Sequence, residues 1–166
     1  MFNVAIITAS DSGARGERED VSGRTVVELV EGIGATVASQ VVLEDCRETI
    51  ARRLCMLCDG GLIDLVITTG GTGLGPRDVT PEATRDVIEF EVPGLAEAMR
   101  AAGLKKTIHA ALSRGLAGVR GRTLIINLPG SPRAVRENLG AVLEALPHAM
   151  EVLKGRAHDC AKLRQP

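Results

Sequence analysis

Aromatic side chains are almost missing from this chain of 166 residues: there is no Trp and no Tyr, and Phe2 and Phe90 are the only members of the class. The core must therefore be built from Val, Leu, Ile and Ala. Base stacking on aromatic rings, the usual grip of single-stranded nucleic-acid binders, has no residues to work with. Net charge is equally scarce. Lys and Arg number 20 against 21 Asp and Glu, a formal balance of −1, so no global field gathers nucleic acid or an anionic membrane. A polyanionic ligand would have to be held locally, by backbone amides, a few Arg residues and a metal. Long hydrophobic runs are also missing, and none approaches the roughly 20 residues of a membrane span. No basic region precedes the short apolar run near the N-terminus, and Asp11-Ser12-Gly13 follows it at once. No secretory leader is expected, and the cytoplasm is the expected location.

The cysteines need no disulfide reading in that compartment. Cys55 and Cys58 form a C-x-x-C, but inside an expected amphipathic helix rather than at the helix N-terminus where a redox thiolate is stabilised. No second pair with metal spacing accompanies them. Cys46 and Cys160 stand apart, and His109, His148 and His158 are scattered. Structural thiols and helix-surface or core histidines are the expected roles.

What remains is ordinary globular composition, 45% hydrophobic and 25% charged. It fits one domain over 1–155, followed by a polar, frayed tail at 156–166. A chain of this size buries roughly 70% of the surface exposed when unfolded. Strand and helix signals alternate. The apolar run Asn3–Thr8 reads as a buried strand, and the polar stretch Asp11–Asp20 as a mobile loop. A helix opens after Ser22, with Val26, Leu29, Val30 and Ile33 on one face, and stops near Gly32 and Gly34. Thr36–Leu43 is a strand, and Arg47–Cys58 a helix with Ile50, Leu54 and Leu57 at helical spacing. Asp64–Thr68 is a strand, Pro81–Glu89 a helix, and Pro93-Gly94 opens another. Lys105–Gly121 resists assignment. Thr123–Leu128 is a strand, and the last helix carries Val135, Leu139, Val142 and Leu143 before Pro147 kinks or restarts it. This alternation predicts an α/β fold, a three-layer α/β/α sandwich around a mainly parallel sheet.

In such sheets ligands bind beyond the carboxyl ends of the strands, where strand order reverses. Four unusual loops follow strand ends here: Ser10-Asp11, Asp45, the run from Gly70 to Pro81, and Pro129-Gly130-Ser131. The richest is Thr68-Thr69-Gly70-Gly71-Thr72-Gly73-Leu74-Gly75-Pro76-Arg77-Asp78-Val79-Thr80-Pro81. Its glycines permit positive φ and close approach, so that successive N–H groups can converge on an anion. Arg77 offers a cation for phosphate oxygens, and Asp78 a metal or proton ligand. Pro76-Arg77 stand where a P-loop needs Lys and Ser/Thr. Gly71-Thr72-Gly73-Leu74-Gly75 is one residue short of the dinucleotide fingerprint. The same letters also describe a plain strand-to-helix turn, with Thr80 as N-cap and Pro81 at the first helical position. Pro129-Gly130-Ser131-Pro132 repeats the anion logic with Ser131 as a helix cap, and it too has a plain turn as its alternative. Asp45 alone would be an ordinary N-cap ahead of Arg47.

The glycine run with Pro76-Arg77-Asp78-Val79-Thr80-Pro81-Glu82-Ala83-Thr84 resembles the MogA/MoaB family of molybdenum-cofactor biosynthesis proteins and the G domain of plant molybdopterin adenylyltransferases. The likeness continues through Glu91-Val92-Pro93-Gly94, Leu112-Ser113-Arg114, Gly118–Gly121 and Leu124–Pro132, and covers Asn3 to Gly155. The resemblance implies adenylyl transfer from ATP to molybdopterin, with Mg²⁺ and release of pyrophosphate. It implies Asp78 and Asp45 as catalytic and metal-holding carboxylates, Asp45 being either a second metal or water ligand or an orienter of the attacking phosphate. Gly70, Gly71, Thr72, Gly73 and Arg77 would take nucleotide phosphates. Ser113, Arg114, Pro129, Gly130 and Ser131 would face the pterin, and Ser10 and Asp11 match the Ser-Asp pair that closes the family's first strand. The family further implies a homotrimer and hand-over to a molybdate-insertion protein, with no nucleic-acid or membrane partner. A non-catalytic pterin-binding or scaffold homologue and a molybdate-insertion-type domain are the competing readings. The second lacks the full Pro-Arg-Asp-Val-Thr-Pro run.

Overall fold

Side chains Val4 to Ile7 are all fully buried, which a strand achieves only in the middle of a sheet covered on both faces. The computed structural model describes residues 2–155; the tail expected at 156–166, with His158 and Cys160, lies outside the described residues. The chain runs β1 (Asn3–Ala9), α1 (Asp11–Ala14), α2 (Val21–Glu31), β2 (Thr36–Leu43), α3 (Arg47–Asp59), β3 (Leu65–Thr69), α4 (Thr80–Arg85) and β4 (Phe90–Glu91). It continues through α5 (Pro93–Leu104), a 3-10 turn at Ile108–Leu112, β5 (Ala117–Arg120), β6 (Thr123–Leu128), α6 (Pro132–Val142), a 3-10 turn at Leu143–Ala145 and α7 (Leu146–Leu153).

The strands form one six-stranded sheet in the order β2-β1-β3-β6-β5-β4. β1, β2, β3 and β6 are parallel, and β5 runs against both its neighbours. Period-two alternation sorts the strand residues between two cores. Val4, Ile6, Leu65, Ile67, Leu124 and Ile126 pack with Val26, Met99, Leu139 and Met150 of α2, α5, α6 and α7. Ala5, Ile7, Val66 and Ile125 pack with Ile50, Leu54 and Ala83 of α3 and α4 on the other face. The expected three-layer α/β/α architecture is the observed one.

Differences from the sequence reading are local. Asp11–Ala14 forms a single helical turn capped by the Ser10 side chain, inside the stretch read as a mobile loop. The α2 cap is Asp20, not Ser22: its Oδ1 accepts from Gly23 N at 2.8 Å and from Ser22 Oγ at 3.1 Å. Helix α4 stops at Arg85 rather than Glu89, because Glu89 N–H turns to donate to Val119 O at 2.8 Å and starts the antiparallel edge. The unassigned segment Lys105–Gly121 holds the 3-10 turn and β5. Pro147 restarts a helix, as one of the two expected outcomes.

Candidate active site at the carboxyl edge of the sheet

β1 leads to β2 on one side, while β3 and β6 follow on the other. The chain therefore reverses direction across the sheet at β1–β3, and the loops after β1, β3 and β6 open onto one edge. Two cavities lie there. The first, about 370 Å³, is lined by Ser10, Asp20, Asp45, Gly70 and Arg18, among others. The second, about 470 Å³, is lined by Thr72, Gly73, His109, Leu112, Ser113 and Pro129, among others. Gly71, Asp78, Gly130 and Ser131 line both, so the cavities adjoin at the glycine loop and the α6 cap.

The four loop glycines divide into two kinds. Gly70 and Gly71 adopt φ of 93° and 64°, and neither has room for a side chain. A Cβ on Gly70 would lie 2.3 Å from Ala9 O, and one on Gly71 would lie 2.4 Å from Thr80 Oγ1. Gly73 and Gly75 have ordinary φ and instead curl around Asp78, where a Cβ on either would come within 2.9 Å of Oδ2. Gly75 N–H donates to that oxygen at 2.7 Å. The loop is thus wrapped on its own carboxylate, and Asp78 Oδ1 has no hydrogen bond to the described residues. Gly130 meets the loop backbone to backbone, its would-be Cβ 3.3 Å from Gly70 Cα.

Asp45 and Asp11 exchange hydrogen bonds: Asp11 N–H donates to Asp45 Oδ2, and Asp45 N–H to Asp11 Oδ1, both at 3.0 Å. Asp45 is therefore not the cap of α3; that position is Cys46, whose side chain makes no capping bond. Burial raises the Asp45 carboxyl pKa above its ordinary value, and the charges of Asp11 and Asp78 push the same way, against the Asp11 N–H and Arg77. Arg77 does not line either cavity. Its Nε and Nη2 donate to the Asp11 carboxylate at 3.1 and 2.8 Å, which holds the Asp11 pKa below its ordinary value. The cation that does line the first cavity is Arg18, from the stretch read only as loop, with no ion pair to the described residues.

Arg114 also differs from expectation. Its Nε donates to Gly73 O at 2.7 Å, Nη2 to Asp78 O at 2.6 Å, Nη1 to Glu82, and its N–H to Thr72 O at 2.9 Å. It lines neither adjoining cavity; it braces the glycine loop from behind. Ser131 caps α6 as expected, accepting from Ala134 N at 3.2 Å. Ser113 and Pro129 line the second cavity alone, Gly70 and Ser10 the first alone, and Thr72 and Gly73 stand with Ser113. Thr80, expected as the α4 cap, is fully buried inside the helix, its Oγ1 without a hydrogen bond; Val79 holds the cap position.

A buried network fixes this edge. Asn127 Nδ2 donates to Thr68 Oγ1 at 3.0 Å and Thr84 Oγ1 at 2.9 Å, while Thr84 Oγ1 donates to Thr80 O at 2.9 Å. Thr69 Oγ1 donates to Pro129 O at 2.7 Å, tying the two loops together. Sequence reasoning missed Arg18, Asp20, His109 and Asn127; only Asp20, three residues before Gly23 at a helix start, carried a local signal.

Of the thiols among the described residues, Cys46 stands next to Asp45 at this edge, bonded to Glu48 and Thr49 at 3.3 Å, while the other two lie farther along α3. Cys55 and Cys58 sit within α3, as expected, and burial pushes Cys58 up to about 11. Among the described residues no helix is long and apolar enough to cross a membrane.

An α/β domain that gathers a glycine loop, two carboxylates and a capped helix beyond its strand ends belongs to the class that binds ligands at a topological switch point. The family model described as "Probable molybdopterin binding domain" matches residues 5–148. A molybdopterin adenylyltransferase of Helicobacter pylori strain J99 is 40% identical over 156 residues, spanning 93% of this chain and 89% of that protein. The Drosophila melanogaster molybdenum cofactor synthesis protein cinnamon is 41% identical over 152 residues, 89% of this chain but 25% of that protein. The crystal structure of the molybdopterin biosynthesis enzyme MoaB from Thermus thermophilus superposes with a TM-score of 0.88 at 54% identity, covering 93% of this chain and 98% of that one. This chain belongs to the MogA/MoaB family of molybdenum-cofactor biosynthesis proteins.

Proposed function

We propose that this chain is a molybdopterin adenylyltransferase, transferring AMP from ATP to molybdopterin with release of pyrophosphate. The carrying observation is the pair of cavities that meet at Gly71, Asp78, Gly130 and Ser131. Two anionic substrates that react end to end need adjoining seats, with the reacting phosphates at the junction. An oxygen of the molybdopterin phosphate attacks the α-phosphorus of ATP. The bond from that phosphorus to the oxygen bridging toward the β-phosphate breaks, and pyrophosphate leaves with the electron pair. The nucleophile is already ionised near neutral pH, so no general base is required. Positioning and charge neutralisation do the work.

The nucleotide phosphates fit the first cavity, with Arg18, the Gly71 amide and the α6 N-terminus as donors, the Gly70 N–H being taken by Leu128 O at 3.1 Å. Molybdopterin fits the second, with Ser113, Thr72 and Pro129. Asp45 and Asp78 suit Mg²⁺: two carboxylates face one cavity and the Asp78 charge disfavours ionisation of Asp45, while phosphates and waters would complete the shell. Bound there, Mg²⁺ would neutralise charge on the reacting phosphates. Retention of both carboxylates, Asp78 at the junction and Asp45 in the first cavity, favours an enzyme over a scaffold.

Pyrophosphate release that requires ATP and molybdopterin together is the expected result. Asp78→Asn, which keeps shape and removes charge, should lower it about 10²-fold, the scale of one strong electrostatic contact to a transition state. Release without molybdopterin, or none with both, would contradict the assignment. Acting in the cytoplasm as a homotrimer and passing the adenylylated product to a molybdate-insertion protein completes the proposal. The long relative in which this domain is only a quarter of the chain supports a partnered step.

A further inference from the structure

The second cavity holds one carboxylate besides Asp78 that the proposed reaction does not use. Glu137 lies on α6 with its side chain 20% exposed, beside Ala110, Leu112, Ala134 and Pro129 of the same cavity lining. Its Oε1 accepts from Arg133 Nε at 2.9 Å, but Arg133 is 79% exposed, and a solvated ion pair of that kind contributes little. Oε2 has no hydrogen bond to the described residues. A half-buried carboxylate with a spare oxygen in a half-apolar cavity is placed to accept donors from a ring seated there.

The chemistry of the two candidate rings differs at this point. The 2-amino-4-oxopyrimidine edge of a pterin presents N2–H and N3–H side by side, two parallel donors spaced for the two oxygens of a carboxylate, as in the Arg fork. Adenine presents the N6 donor next to the N1 acceptor, so a carboxylate gains one hydrogen bond and meets one lone pair. The oxygen already bonded to Arg133 keeps a second lone pair for a ligand.

We propose that Glu137 reads the aminopyrimidine edge of the pterin, which fixes the ring in the second cavity and turns the adenine of ATP away from it. The proposal rests on the adenylyltransferase reading and names the residue that gives that site its substrate preference.

Fluorescence titration of the whole protein with 2-amino-4-oxopteridine and with lumazine, in which a carbonyl replaces the 2-amino group, tests it. The wild type should prefer the amino ring by about 10-fold or more, the scale of a hydrogen bond to a charged group. Glu137→Gln, with one acceptor and one donor, should lose about that factor for the amino ring and narrow or reverse the preference. Glu137→Asp should keep the sign of the preference at reduced affinity, and ATP affinity should stay unchanged in both variants. Equal wild-type affinity for the two rings, no wild-type binding of either, or an unaltered preference in Glu137→Gln overturns the proposal. A wild type that prefers the amino ring yet releases no pyrophosphate would overturn the adenylyl-transfer reading instead.

Discussion

Asp45 is placed where its charge is wanted by the reaction and unwelcome to the apo-fold. Burial raises its pKa, so the folded chain binds that proton more tightly than the unfolded chain does. The stabilising effect of protonation is gained as pH falls through the raised pKa and is lost above it, so at neutral pH the ionised group is held at a cost. Asp45→Asn keeps an oxygen to accept the Asp11 N–H and removes the charge. It should therefore melt higher than wild type at pH 7, with the difference shrinking as pH is lowered toward the carboxylate range, while adenylylation falls about 10²-fold or more. A thermal scan across pH beside an activity assay checks both halves; a variant that melts lower at pH 7 would contradict the account. At this scale the sequence was informative about identity and less so about contact. Asp45, Asp78, Gly71, Gly130 and Ser131 meet at one edge. Arg77 and Arg114 have the residue type that phosphate binding favours, yet their guanidiniums are engaged by Asp11 and by the loop carbonyls. No spacing rule reveals which partner an arginine finds.

The glycine loop depends on two elements brought together by Asn127. From β6 it donates to Thr68 on β3 and Thr84 on α4, and accepts from Leu116 N–H at 3.3 Å. Asn127→Ala should leave Thr68 Oγ1 and Leu116 N–H without this partner, while Thr84 Oγ1 keeps Thr80 O, and cost about 1–3 kcal/mol for the main loss. Hydrogen exchange should rise first in α4 and the loop before it, and urea denaturation should report the global loss. Unchanged exchange in α4 would show that the network does not hold it. Elements were legible where one pattern dominated: the apolar runs of β1, β3 and β6 and the helical spacing in α3 and α6. They were not where tertiary pairing overrode local preference. β4 and β5 exist because Glu89, Phe90 and Glu91 turn to pair with Gly118 and Val119, and the turn at Asp11–Ala14 is held by its cap rather than by an apolar face.

For the whole molecule, the proposed homotrimer meets a surface that leaves Ile108, Leu112, Leu74 and Phe90 exposed. Such side chains gain burial from a neighbouring copy in a closed, symmetric assembly. Light scattering at micromolar concentration should give three times the 17.4 kDa chain mass; a monomer there would contradict the trimer. The architecture itself followed from alternating strand and helix signals, and the carboxyl-edge rule pointed to the edge where the two cavities lie.

Transfer of the α-phosphate label is the most direct measure of the central claim. With ATP labelled at the α-phosphorus, molybdopterin and Mg²⁺, the account predicts label on the pterin in a one-to-one ratio with the pyrophosphate released. It also predicts that Asp78→Asn loses both signals together. Pyrophosphate released with the label recovered only as free AMP would contradict it, because the second cavity would then not be presenting a phosphate to the first.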